Sequence, residues 1–75
     1  MLSVGQIYNK NGKDFCVLDL IDYNTKKYVL MSAESDKIEF LFFTILQGDG
    51  FIRLEQVVDK ELEFTLFHII ETKKE

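Results

Sequence analysis

Up to Gln56 the chain alternates apolar and polar positions in short runs, and the runs are separated by residues that favour reversals. Asn11-Gly12, between Lys10 and Lys13, is the strongest of these signals, because a two-residue hairpin turn needs positive φ at both positions. With that turn, Tyr8 faces Phe15, Ile7 faces Cys16 and Gln6 faces Val17. A second turn at Asn24-Thr25 sets Leu20 against Val29 and Leu18 against Met31. A third at Glu34-Ser35-Asp36-Lys37 pairs Ala33 with Ile38, Met31 with Phe40 and Val29 with Phe42. The last, a three-residue loop at Gly48-Asp49-Gly50, sets Leu46 against Ile52 and Thr44 against Leu54. The pattern predicts a five-stranded antiparallel meander.

Side chains alternate across a sheet, so these registers sort the strand residues onto two faces. One face collects Ile7, Cys16, Leu18, Leu20, Val29, Met31, Ala33, Ile38, Phe40, Phe42, Ile52 and Leu54 and is apolar throughout. The segment from Val57 to Glu71 is left to cover it. Asp59 is placed as an N-cap, Glu61 and Glu63 fall in the first turn, and Lys73 and Lys74 close the segment, all favourable to a helix dipole. Leu62, Leu66, Ile69 and Ile70 form the helical stripe, with Phe67 at its edge and Phe64 off it. The alternation Glu61-Leu62-Glu63-Phe64-Thr65-Leu66 also suits a strand, but only an amphipathic helix buries the apolar face. The expected fold class is α+β, a meander curled at most into a half-barrel with one carboxy-terminal helix on one face. It forms a single domain over residues 1–71, followed by a frayed polar tail at 72–75.

The composition narrows the functional classes. In 75 residues there are 13 acidic and 9 basic side chains, and the net charge of −4 disfavours phosphate backbones and anionic lipid. The longest nearly unbroken apolar stretch, Phe40 to Leu46, is too short to span a bilayer, and the first residues lack the pattern of a secretion signal, so a cytoplasmic location is expected. Cys16 and His68 are the only residues of their types, which leaves no internal disulfide and no Cys/His zinc site. Cys16 reads as a small apolar side chain and His68 as a partly exposed residue near the helix end.

No phosphate-binding glycine loop is present, and neither a cofactor nor a metal is expected. Asp19, Glu39, Arg53 and Glu55 are the polar groups that an active site would need to bring together, and their alternating positions read as ordinary sheet-surface charges. A nucleic-acid-binding small barrel, with Tyr8, Phe15, Tyr28, Phe43 and Phe51 as stacking platforms, lacks a basic stripe, because Lys10, Lys13, Lys26 and Lys27 belong to turns at opposite ends of one strand. The sheet face opposite the helix carries the remaining signal. If the sheet curls into a half-barrel, Leu30, Leu41, Phe43 and Ile45 fill a second minor core and the polar residues stay wet. If it stays open, Tyr28, Leu30, Leu41, Phe43 and Phe51, rimmed by Arg53 and Asp19, form a patch for a protein partner or a second copy. The free edges of the sheet are a further contact surface.

Val4-Gly5-Gln6-Ile7-Tyr8, Asn11-Gly12-Lys13-Asp14-Phe15, Val17-Leu18-Asp19, Lys27-Tyr28-Val29-Leu30, Leu54-Glu55 and Val58-Asp59-Lys60-Glu61-Leu62 together resemble small uncharacterised proteins encoded on conjugative transposons of Gram-positive bacteria. The chain is more loosely similar to the short acidic YrzB-like proteins. The resemblance implies a cytoplasmic accessory protein of a mobile element, with no assigned activity and no catalytic residue. The reading as a whole is a non-enzymatic accessory or regulatory protein acting through an aromatic sheet face or a sheet edge.

Overall fold

The computed structural model describes residues 2–34, 38–48 and 50–73. Five strands, β1 (Ile7–Lys10), β2 (Lys13–Tyr23), β3 (Lys26–Glu34), β4 (Ile38–Gly48) and β5 (Phe51–Gln56), form one antiparallel sheet in sequence order, followed by the helix α1 (Lys60–Lys73). The fold is the expected α+β half-barrel with a carboxy-terminal helix.

The first two turns set their registers locally. Asn11 and Gly12 have φ of 53° and 80°, as the two-residue hairpin requires, and Tyr8 pairs with Phe15 and Ile7 with Cys16. Asn24 and Thr25 have φ of 51° and 64°, and Leu20 pairs with Val29. Beyond Leu20 the expected pairing of Leu18 with Met31 fails. Val17 faces Met31 and Asp19 faces Leu30, leaving Leu18 as the extra residue of a β-bulge. The bulge puts Val17 and Leu20, three positions apart, on the same side of the sheet.

The other two registers differ from expectation by one residue. Met31 pairs with Leu41 and Val29 with Phe43, and Glu34 pairs with Ile38; Ser35, Asp36 and Lys37 of the expected third turn lie outside the described residues. Gly48 belongs to β4 and pairs with Phe51, so Ile45, not Thr44, faces Leu54; Asp49 lies outside the described residues. A Cβ on Gly48 would collide with the Phe51 ring, so a residue without a side chain lets that aromatic lie across the strand end.

These shifts divide the single apolar face expected from the sequence. The first core holds Leu2, Phe15, Val17, Val29, Met31, Ala33, Phe43 and Leu54, with Tyr8, Leu20, Leu41, Ile45 and Ile52 packed against it. It occupies the inside of the curled sheet. The second core, on the outer face, joins Ile21, Tyr28 and Phe42 to Val57, Leu66 and Ile70, flanked by Leu30, Leu62 and Ile69. The helix therefore covers the face opposite to the one on which Val29 and Met31 lie, and Phe42 alone of the expected apolar set is buried beneath it. Ile7, Leu18, Ile38 and Phe40, all assigned to the covered face, are exposed. No polar or charged side chain is buried among the described residues.

Two lysines bridge elements far apart in the chain. Lys10 at the end of β1 reaches across the open side of the half-barrel, donating from Nζ to the Leu54 carbonyl of β5 at 2.8 Å and lying 5.7 Å from the centre of the Phe43 ring. The two edge strands are thus bridged by a side chain instead of a backbone ladder. Lys73 donates to the Leu20 carbonyl at 3.1 Å and pairs with Asp19 at 3.5 Å, while Asp19 accepts from the Leu20 amide at 2.8 Å. Both backbone groups of Leu20 lie on the stretch of β2 that outruns β1, and these side chains occupy them, blunting an edge that is otherwise open to strand addition. Lys73 is accordingly part of α1, and Thr72 bonds the His68 carbonyl, so the helix continues two residues into the tail expected to fray.

Asp59 caps α1 as the sequence indicates: its carboxylate accepts from the Glu61 amide at 3.0 Å, and its carbonyl accepts from Glu63 at 3.0 Å.

Candidate functional site

The surface expected from the sequence to carry interactions does not come together. Phe43 is inside the half-barrel, 3% exposed and edge-on to Phe15 with ring centres 5.7 Å apart. Leu41 joins the same core. Tyr28 is buried under the helix, with Leu30 beside it. Phe51 and Arg53 are exposed, but Phe51 lies across Gly48 at the sheet end and Arg53 pairs with Glu55 at 3.3 Å on an exposed strand. Curling packs Leu41 and Phe43 with Ile45, as the half-barrel alternative anticipated, but Leu30, which that alternative placed with them, goes with Tyr28 to the helix side.

The same burial removes Phe15, Tyr28 and Phe43 as stacking platforms for bases. The polar quartet is also dispersed. Asp19 is engaged with Leu20 and Lys73, Arg53 with Glu55, and Glu39 sits opposite Ala33 at the far end of β3. No group of three or more His, Cys, Asp or Glu side chains placed to hold a metal occurs among the described residues. No helix among those residues is long and apolar enough to cross a membrane.

The structure instead builds a groove on the helix side, where sequence reasoning placed a fully covered floor. Around the circumference of α1 from the buried stripe, Phe64 and Phe67 stand 77% and 55% exposed, and Phe40 on β4 is 64% exposed. Between them and the sheet lies a groove of about 680 Å³, lined by Leu18, Asp19, Leu30, Phe40, Phe42, Lys60, Glu63, Phe64, Phe67 and Ile70. Its origin is geometric. The helix buries Leu66 and Ile70 against Ile21, Tyr28 and Phe42, and the sheet extends past it toward the row formed by Ile7, Cys16, Ser32 and Phe40. The bulge supplies the wall on β2, since Leu18 is the unpaired residue and lines the groove.

The rings at the groove mouth are large apolar groups left in water, and the charges near them, Lys60, Glu63 and Asp19, sit on its rim. Such a surface suits an apolar segment with polar flanks. One signal for it existed in the sequence: Phe64, excluded from the buried stripe by its position on the helix, had no core to enter. A smaller cavity of about 160 Å³ at the other end, lined by Leu2, Leu20, Ile21, Asp22, Lys27, Tyr28, Ile45, Gln47 and Ile52, holds no comparable set of exposed aromatics. No family model, curated protein or solved structure matches the chain.

Proposed function

We propose that the protein is a non-enzymatic interaction module whose docking surface is the groove between α1 and the β2–β4 face, in place of the Tyr28–Arg53 surface expected from the sequence. It works in the cytoplasm as an accessory or regulatory component of a mobile genetic element, a setting supported by its resemblance to transposon-encoded proteins. One observation carries the docking reading: three phenylalanines, Phe40, Phe64 and Phe67, are more than half exposed around one apolar groove. Leaving that much aromatic surface in water is unfavourable for a monomer, and aromatic residues are the ones interfaces concentrate.

The test is site-specific crosslinking in the bacterial host, with a photoreactive amino acid in place of Phe40 or, as the control, in place of Phe51, which is 59% exposed at the opposite end of β4. A discrete adduct identified by mass spectrometry from position 40, absent from position 51 and lost when Phe64→Ser is added, supports the reading. No adduct from position 40, or the same adducts from both positions, overturns it.

A further inference from the structure

We infer that the exposed stripe of α1 pairs antiparallel with the same stripe of a second copy of this chain; this deepens the docking reading above and rests on it. At 100° per residue, Lys60, Phe64, Phe67 and Glu71 fall along one line of the helix, with the 4-3-4 spacing of a coiled-coil seam. All four are exposed, and the line borders the groove without overlapping the buried stripe of Leu66 and Ile70.

The order of residues along this line is what selects the partner. A twofold interface sets residue i against the partner's j and residue j against the partner's i, so a self-pairing stripe must be complementary to its own reverse. Read from either end, this one runs charge, phenyl, phenyl, opposite charge. With the twofold axis midway between Thr65 and Leu66, Phe64 meets the partner's Phe67 and Lys60 meets the partner's Glu71, each contact occurring twice. A parallel arrangement has no such match, since it sets Lys60 against the partner's Lys60 and Glu71 against the partner's Glu71.

Chain length and area fit a modest dimer. The 14-residue helix offers a seam of about 21 Å at 1.5 Å per residue. The two exposed rings of the seam, at the roughly 150–250 Å² an aromatic presents, leave on the order of 250 Å² of apolar surface per copy. That is below the ~800 Å² per partner of a standard interface, so the dimer is expected to be weak and to form over roughly 10 μM to 1 mM.

The experiment is sedimentation equilibrium of the full chain across that range, for the parent and for Phe64→Ser, Lys60→Glu, Glu71→Lys and the double variant Lys60→Glu/Glu71→Lys, with circular dichroism as the check on folding. The parent is expected to approach twice its 8.8 kDa mass as concentration rises. Phe64→Ser holds it monomeric. Each single charge reversal creates two like-charge contacts per dimer and weakens association roughly tenfold, and the double reversal recovers it to within about threefold. A parent that is monomeric throughout overturns the inference, and an adduct with a different protein from position 40 in the crosslinking experiment would then leave the docking reading standing. A dimer indifferent to Phe64→Ser, or a double reversal no better than the singles, also overturns it.

Discussion

Phe40 and Phe43 lie on the same strand three residues apart, hence on opposite faces, and the one-residue shift of β4 against β3 decides which of them shares the side of the sheet with Val29 and Met31. Phe43 pairs with Val29 and is 3% exposed inside the half-barrel, against Phe15 and beneath Lys10; Phe40 pairs with Ser32 and is 64% exposed. Truncating each to alanine therefore reads out the register. Phe43→Ala removes a ring from a closed apolar core and is expected to cost about 3–5 kcal/mol, the usual range when a buried aromatic leaves a cavity. A domain of this size has about 4–11 kcal/mol of stability in total, so the variant loses roughly a quarter or more of it. Phe40→Ala, with most of its ring already in water, is expected to cost about 0.5 kcal/mol or less. Urea unfolding followed by circular dichroism measures both, and with a slope of about 1 kcal/mol per molar the midpoint of Phe43→Ala falls by about 3–5 M. Should Phe43→Ala fail to fold, Phe43→Leu, expected to cost about 1–1.5 kcal/mol, keeps the comparison measurable. Equal costs at the two positions, or a larger one at Phe40, would refute the register and with it the division into two cores.

Two other perturbations test local features. Thr25 is a β-branched residue at φ 64°, a conformation that penalises its Cβ, so Thr25→Gly should stabilise the chain by about 1 kcal/mol and raise the melting temperature by about 4–8 °C. A fall in melting temperature would mean that the 2.6 Å bond from Thr25 Oγ1 to the Asn24 carbonyl outweighs the strain. Asp19→Ala leaves the Leu20 amide without its acceptor and Lys73 without its ion pair, so hydrogen exchange at Leu20 should accelerate while global stability changes by about 1 kcal/mol at most. Unchanged exchange at Leu20 would show that the edge is protected by something other than this carboxylate.

The two-residue turns were legible because their cause is local. Asn11-Gly12 and Asn24-Thr25 determine the pairing beside them through backbone conformation alone, and Tyr8 with Phe15 and Leu20 with Val29 follow from it. The helix was legible for the same kind of reason, since Asp59 and the stripe of Leu62, Leu66, Ile69 and Ile70 need no partner to be recognised. The groove was not legible as a site. It depends on where the helix lies on the sheet and on a bulge at Leu18 that no residue there announces.

Apolar alternation then failed as a test of register because a curled sheet buries apolar residues on both faces. Phe40-Leu41-Phe42-Phe43 is apolar at every position, so moving β4 by one residue exchanges one plausible set for another. The sequence by itself determined five strands in meander order, two of the four registers near their turns, and a capped amphipathic helix. Tertiary structure decided which side of the sheet becomes the interior, which side the helix covers, and which phenylalanines remain in water. Those outcomes depend on the summed fit of two cores and a side-chain bridge from Lys10 to Leu54, interactions between residues far apart in the chain whose geometry no local pattern encodes.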